Sequence, residues 1–516
     1  VQLSLTKNGT WIYHSDGSKS CFLKIRSKSA IGISLFFENF IIPKGAELFV
    51  YNENKKHVIG KFNSTTNSIN SLTHTQIVEG EVSIIEYYQP QNSSGNLDIT
   101  LNKIGYIFRG FEDYLKPFKN SSNLTGFSRA DPCQIDVACS PENIGWSEPI
   151  DAAVHFTYQQ TSFIFSCSGS VINNTADDCT PYILTAWHCG DSQANQNLSG
   201  YTWYWNYQKS SCQPNTNASN PSKGNQTMIN GVVRASSGSG TLNNPPSSSQ
   251  EAGSDFALVE LNSIIPTSYN TFYAGWDRST SSISNGVSIH HPNGSAKKIS
   301  TFSNPPTSTS FNGGAANAHW NVTWSSTSNG HGVTEAGSSG ASLFNQNKKI
   351  IGQLSGGSSF CSSPNFPDQF GKFSTSWSSN GSSPGAKLKP WLDPLNLNVN
   401  SLDGTYAPCS GTVLECEIAF WNSQTQKETD TINKGESIDF FGGSNLTTAN
   451  YSWNFDNTGL GGVSVPNSTN QSPTGVTFNN SGLFQVQLTV ANNQEICLVD
   501  TVIKVCLLYT SPSPRD

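Results

Sequence analysis

Two short strings of this chain carry residue types that act together in acyl transfer: Leu184-Thr185-Ala186-Trp187-His188-Cys189 and Gly337-Ser338-Ser339-Gly340-Ala341-Ser342. The first places a histidine at the end of an apolar, strand-like run, directly before a cysteine. The second places a serine in a glycine-flanked turn that leads into Leu343-Phe344. A serine hydroxyl is a weak nucleophile at neutral pH. It needs a base to take its proton and backbone N–H groups to hold the oxyanion that follows attack. The base in turn needs a carboxylate to fix its tautomer. Asp255, which opens the buried-looking run Phe256-Ala257-Leu258-Val259-Glu260-Leu261, is the candidate between the two strings.

The order is then His188, Asp255, Ser339. That is the order of the chymotrypsin-like class and not of subtilisins or α/β-hydrolases. Ser339 Oγ is expected to attack a scissile carbonyl, His188 to move the proton, and Asp255 to orient the imidazole. The N–H groups of Gly337 and Ser339 are expected to form the oxyanion hole, with glycine at 337 letting the peptide plane turn inward. Taken singly, each residue has a plainer reading: His188 as a core histidine, Cys189 as half of a structural disulfide, Ser339 as a turn serine, Asp255 as a strand-edge charge. Their joint occurrence, in order and in strand contexts, favours the catalytic reading.

These residues need a framework, and the composition describes one. The chain has 516 residues, enough for several domains. Short runs of Val, Ile, Phe, Tyr and Trp recur between Gly, Asn, Pro and Ser clusters, which predicts an all-β protein. Charged residues are only 13 % of the chain and net charge is −7, with no long basic run, so no nucleic-acid partner is expected. No stretch is long and apolar enough to span a membrane. Twelve cysteines in so polar a chain predict disulfides and an oxidising compartment. Without C-x-x-C or H-E-x-x-H spacing, no metal and no cofactor are expected. His290-His291 reads as a structural pair rather than a ligand set.

Three units follow from the strand pattern. Residues 1–115, with Ile31–Phe37, Glu47–Tyr51 and Val82–Tyr88 as strands, predict a β-sandwich. Residues 116–132 form a polar linker. Residues 133–403 hold the chemistry. Residues 409–505 predict a small antiparallel sandwich with Tyr451–Asp456 and Phe484–Val490 among its strands. They resemble a PKD-type, immunoglobulin-like domain, although the turn after the Trp-x-Phe signature is Asp456-Asn457-Thr458-Gly459. Residues 506–516 lack any strand pattern and read as a non-native tail. Val1-Gln2-Leu3-Ser4-Leu5 reads as the middle of a longer chain, so the expected leader lies upstream.

Residues 133–403 resemble the lysyl endopeptidase branch of the trypsin-like peptidases, a secreted bacterial group. The resemblance rests on Cys133–Cys139, Ser168–Thr175, Trp203–Tyr207, Ala274–Asp277 and His290–Asn293, besides the two opening strings. It implies a two-barrel peptidase preceded by a propeptide-like sandwich. It also implies three disulfides: Cys133–Cys361, Cys139–Cys212 and Cys167–Cys189. Cys179 is left over, either free or paired with Cys21, and the pairing of Cys409, Cys416, Cys497 and Cys506 stays open. The trypsin pocket acid is absent, because Val333 stands six residues before the serine. The resemblance instead assigns specificity to Asp368. It assigns substrate binding to Gln353-Leu354-Ser355-Gly356-Gly357, with Phe311 beside the site. The family carries tryptophan at the Phe311 position and histidine at the Ser355 position. Ser338 cannot form trypsin's ion pair with a new N-terminus, so activation is expected to work instead by loss of the first unit. A cut in the 116–132 linker, with Lys116 and Lys119 as self-cleavage sites, would remove it. The sequence therefore predicts a secreted, monomeric serine endopeptidase acting on protein or peptide substrates after lysine, with arginine as the competing preference. The alternative is a catalytically silent adhesion or glycan-binding β-protein.

Overall fold

In a computed structural model the described residues are 1–64, 73–108, 130–160, 162–190, 196–212, 226–237, 253–280, 283–311, 315–378, 383–407, 409, 416–427, 429–444, 449–491 and 496–506. Of the 116–132 linker only residues 130–132 are among them. Lys116, Lys119 and residues 507–516 lie outside. Val1–Pro408 form one compact unit and Cys409–Asp516 another.

The first part of the larger unit is a sandwich. One sheet orders Leu3–Ser4, Asp98–Ile107, Gly32–Ile41 and Val78–Glu79. The other orders Thr10–Tyr13, Lys19–Arg26, Val82–Gln89, Glu47–Asn52 and Val58–Phe62. Alternate residues point inward, as the period of two requires, so Leu23, Ile25, Leu48, Val50, Ile85 and Tyr87 meet Ile33, Leu35, Ile99 and Leu101 in one core. Cys21 is buried there with a free thiol, and burial pushes its pKa up to about 11. Cys179 is disulfide-bonded, so a Cys21–Cys179 pair does not form. Both alternatives read from the sequence for Cys179 are thereby corrected.

The catalytic candidates sit on two all-β lobes. The first is a closed barrel of Ala153–Gln160, Phe163–Val171, Tyr182–Ala186, Phe256–Glu260, Thr227–Ser236 and Asn197–Tyr204, each antiparallel to the next. Closure leaves no strand edge unpaired. The second is a ten-stranded sheet whose main path runs Ile135–Asp136, Lys298–Phe302, Gly286–His290, Ser342–Asn345, Ile350–Gly357, Asp368–Lys372, His319–Val322 and Thr307–Thr309. Phe256, Leu258, Ile289, Phe344 and Ile350 from both lobes share one buried cluster. A second cluster of Trp320, Trp324, Val333, Leu354 and Phe370 fills the other lobe. Disulfides join Cys133 to Cys361, Cys139 to Cys212 and Cys167 to Cys189.

The sandwich packs on the outer strands of the barrel. His74 Nε2 lies 2.9 Å from Thr202 Oγ1, and Thr227 Oγ1 donates to Gln76 Oε1 at 2.5 Å. Ile77, Ile107 and Tyr204 are buried between them. Among the described residues, these contacts lie on the Asn197–Tyr204 and Thr227–Ser236 strands, not on the strand ends that carry His188 and Asp255.

The smaller unit is a sandwich of a three-stranded and a five-stranded sheet. Phe440, Trp453, Phe455, Phe484, Val486 and Leu488 fill its core. Cys416–Cys497 links its strands. The Asp456 carboxylate closes the turn expected after the Trp-x-Phe signature by accepting from the N–H groups of Leu460 and Gly461 at 2.9 and 2.6 Å. Cys506 ends the Ile496–Cys506 strand opposite Asn433. Cys506, the first residue of the tail read from the sequence, thus has a place in the sheet.

Candidate active site

The Tyr182–Ala186 strand pairs with Phe256–Glu260, with Ala186 opposite Phe256. This register carries the residues just beyond both strand ends, His188 and Asp255, to the same edge of the barrel. Asp255 adopts a φ of 56°, a left-handed conformation that aspartate tolerates better than most residues. Its backbone carbonyl is held by Trp187 N at 3.0 Å. Its carboxylate, 3 % exposed, reaches His188 twice: Oδ1 accepts from the backbone N–H at 3.1 Å, and Oδ2 lies 2.8 Å from Nδ1. A carboxylate only accepts, so Nδ1 must carry the proton, and in the neutral ring Nε2 keeps its lone pair. The His188 side chain is 25 % exposed, so that nitrogen can meet a ligand.

Ser339 is brought to the same edge by backbone contacts. Its carbonyl accepts from Ser168 N at 2.9 Å. The next residue, Gly340, has φ +82°, and a Cβ there would stand 2.1 Å from Thr185 Oγ1 and 2.7 Å from Ala186 N. Only glycine permits so close an approach of this loop to the strand that leads into His188. The Cys167–Cys189 disulfide closes the other side of the same turn.

The preceding loop is held at every second residue. Ser338 N donates to Glu335 O at 3.0 Å and Gly340 N to Leu354 O at 2.9 Å. Alternating with them, and among the described residues, the N–H groups of Gly337 and Ser339 form no hydrogen bond. Gly337 has φ +86° and packs against the backbone, where a Cβ would lie 2.9 Å from His291 O. Ser168 Oγ bridges the two elements, donating to Gly337 O at 2.9 Å and accepting from His291 N at 3.0 Å. The loop therefore presents two uncommitted backbone donors beside a serine hydroxyl, which is the arrangement that stabilises a tetrahedral oxyanion.

Asp368 opens a strand of the second lobe opposite Gly357 and is wholly buried. Trp324 Nε1 donates to its Oδ2 at 2.6 Å, Thr334 Oγ1 at 2.8 Å and Ser359 Oγ at 2.5 Å, while Ser359 N donates to Oδ1 at 3.0 Å. A Cβ at Gly357 would stand 1.9 Å from Oδ1. No lysine or arginine pairs with Asp368 among the described residues. A buried carboxylate held only by neutral donors has an unmet preference for a cation.

Ser355, Gly356 and Phe311 are neighbours. Ser355 Oγ lies 3.1 Å from His319 Nε2, the Phe311 ring is 5.7 Å from the His319 ring, and a Cβ at Gly356 would lie 2.9 Å from Phe311 Cζ. His319, which the sequence reading did not identify, touches both candidate residues, Ser355 and Phe311. It is buried, and burial pushes its pKa down to about 4 against the opposing pull of Asp255. It comes from a strand that no motif marks, so nothing local in the sequence distinguishes it. His290, by contrast, was noted, and its job is structural: Nδ1 lies 2.7 Å from Ser338 Oγ and Nε2 3.0 Å from Ser300 Oγ.

Residues 127–371 match the family model described as lysyl endopeptidase, C-terminal domain. The chain is 26 % identical over 321 residues to a lysyl endopeptidase of Pseudomonas aeruginosa, a match that covers 60 % of this chain and 62 % of that protein's length. Among solved structures it is similar to a thermostable serine protease, AL20, from an extremophilic microorganism, with TM-score 0.30 and 14 % identity over 43 % of this chain and 91 % of that one. It is likewise similar to neuropsin, a serine protease expressed in the limbic system of mouse brain, with TM-score 0.30 and 16 % identity over 46 % and 94 %. Scores of this size assign nothing further to the chain.

Proposed function

We propose that this chain is a serine endopeptidase that cuts after lysine through a His188–Asp255–Ser339 triad. One observation carries the reading: a histidine locked in one tautomer by a buried carboxylate lies at the barrel edge where the loop with two unpaired backbone donors presents Ser339. Ser339 Oγ attacks the scissile carbonyl while His188 Nε2 takes its proton. Asp255 holds the imidazole and stabilises its cation. The carbonyl oxygen, now an oxyanion, takes hydrogen bonds from the N–H groups of Gly337 and Ser339. His188 returns the proton to the leaving amine, and water repeats the sequence on the acyl-enzyme.

Asp368 is the specificity acid. Its four donors fix it in place without neutralising it, so a lysyl ammonium supplies the missing charge. The end of the Ile350–Gly357 strand pairs with the substrate backbone, and Phe311 and Ser355 border the site. The family match over residues 127–371 and the relative named above support the same reading. The four disulfides named above suit an oxidising, extracellular setting. In this reading residues 1–115 are a propeptide-like domain removed by a cut in the 116–132 segment, residues 409–505 are a PKD-like module, and the enzyme acts as a monomer on protein substrates.

A positional peptide library cleaved by the parent chain and by Asp368→Asn tests this. The parent is expected to cut after lysine, and the variant to lose that preference. Equal or higher kcat/KM on an arginyl peptide overturns the lysine assignment. If a fluorophosphonate probe does not label Ser339 in the parent, the chain is the silent adhesion β-protein instead.

A further inference from the structure

We propose that Glu335 is a positioning residue that makes the oxyanion hole depend on the segment at which the peptidase lobes begin. The inference rests on the serine-peptidase reading and extends it to a residue that contacts no substrate.

The N–H groups of Gly337 and Ser339 can share one oxyanion only if the peptide planes of residues 335–339 are fixed. Three ties fix them. Ser338, fully buried, holds its Oγ between His290 Nδ1 at 2.7 Å and Glu335 N at 3.1 Å. Ala336 O accepts from Asn293 N at 2.6 Å. The third tie is the Glu335 carboxylate. Its Oε2 accepts from Asn293 Nδ2 at 2.6 Å, and its Oε1 from Gln134 Nε2 at 2.8 Å and Asp131 N at 3.1 Å. Asn293 therefore grips the loop twice, once through Ala336 and once through Glu335. Glu335 passes the far end of that grip to residues 131–134. Gln134 Nε2 also donates to Val333 O at 2.9 Å, and the Cys133–Cys361 disulfide pins the same segment to the second lobe.

The carboxylate sits two residues before Gly337, where an uncompensated negative charge would oppose a developing oxyanion. Three N–H donors fix that carboxylate in orientation and give it a geometric task. Glu335, Asp131 and Cys361 also bring ligand-type atoms within 4.8 Å of one another. The Cys361 sulfur is bound to Cys133 and the Glu335 oxygens are occupied by N–H groups, so the cluster acts as an anchor and not as a metal site. The neighbouring residue, Thr334, holds Asp368 at 2.8 Å. One turn of chain thus secures the pocket acid with one side chain and the oxyanion donors with the next.

The test uses the full chain with Glu335→Ala, Glu335→Gln and Gln134→Ala. Each is measured for kcat and KM on a lysyl peptide amide. Each is also titrated with a lysyl peptide aldehyde, which engages the oxyanion hole, and with n-butylammonium, which reaches only the pocket. Removing one oxyanion donor typically costs about 10²–10³ in rate, so displacing one through Glu335→Ala is expected to lower kcat about 10–100-fold. KM and butylammonium affinity should stay within about 3-fold, and aldehyde affinity should fall in step with kcat/KM. Glu335→Gln, which keeps one acceptor, should lose less. Gln134→Ala should lose in the same direction, and it decides the matter if Glu335→Ala does not fold. A kcat within 2-fold of the parent overturns the proposal, as does an equal fall in butylammonium affinity. A parent that neither cuts lysyl peptides nor labels at Ser339 overturns the peptidase reading and this proposal with it, whereas an active parent with unaffected variants overturns this proposal alone.

Discussion

The two lobes position their chemistry by different means. In the first, His188 and Asp255 stand at the ends of adjacent strands, and the ladder register alone brings them together. In the second, the Gly337–Ser339 loop and Asp368 are held by individual hydrogen bonds: Ser168 to Gly337 O and, through its N–H, to Ser339 O, His290 to Ser338, Asn293 N to Ala336 O, and Trp324, Thr334 and Ser359 to the Asp368 carboxylate. Strand pairing is cooperative and tolerates the loss of any one side chain. A loop held by individual hydrogen bonds loses its shape one bond at a time. Catalytic rate should therefore respond to substitution in the first lobe mainly at the reacting residues, and in the second also at residues that never meet substrate.

The sharpest way to break this contrast is Asp255→Asn. The amide keeps the shape but lets Nδ1 lose its proton to the wrong tautomer, so kcat should fall about 10⁴-fold with KM little changed. A loss under 10-fold would remove Asp255 from the triad. Next comes Asp368→Asn in the other lobe. Here kcat/KM on lysyl peptides should fall about 10²–10⁴-fold, because a buried pocket then meets a cation without a charge. Fluorophosphonate labelling of Ser339 should stay within about 3-fold. If labelling falls as far as peptide cleavage, the pocket and the nucleophile are not separable.

Cys167→Ser with Cys189→Ser probes the staple at the His188 turn of the first lobe. Closing a loop of this kind contributes about 2–4 kcal/mol, to be read from chemical denaturation of the parent and the double variant. An equal stability in both would show that the strands alone hold the turn.

The smallest effect lies at the seam with the first sandwich. His74 is fully buried against Thr202, and burial pushes its pKa down to about 4. Its unfolded value is about 6.5, so the unfolded chain takes up a proton first as pH falls. The stability is complete above pH 6.5 and is lost progressively as pH falls towards 4. At pH 5 the loss from this one group is about 1–2 kcal/mol. His74→Gln should flatten the pH dependence of the melting temperature between pH 7 and 5. An unchanged slope would show that His74 does not titrate across unfolding.

The same contrast explains what could be read from the sequence. His188 and Asp255 were legible because a strand end followed or preceded by a reactive residue is a local pattern. The sandwich strands around Ile33, Val50 and Ile85 were legible for the same reason, since alternation is local. His319 was not, because its meeting with Ser355 depends on which strand neighbours which in the second sheet. Phe311 and Ser355 were read as departures from a family pattern, and only the fold shows that His319 lies between them. Glu335, two residues before the serine string, carries no local signal, because its partners, Asp131, Gln134 and Asn293, are 42 to 204 positions away. Cys179 was mis-assigned because cysteine count constrains parity and not partners.

Asp368 has one further consequence. Its carboxylate is already out of water and already oriented by four donors before any ligand arrives. The cost of drying that charge is therefore part of the folding equilibrium of the chain itself. A primary amine of suitable length binds the native state and not the unfolded one, so it draws the folding equilibrium towards the native side by RT ln(1 + [L]/Kd). Thermal stability then becomes a gauge of how full the pocket is, and a melting curve taken against amine concentration measures affinity without a single peptide bond being cut.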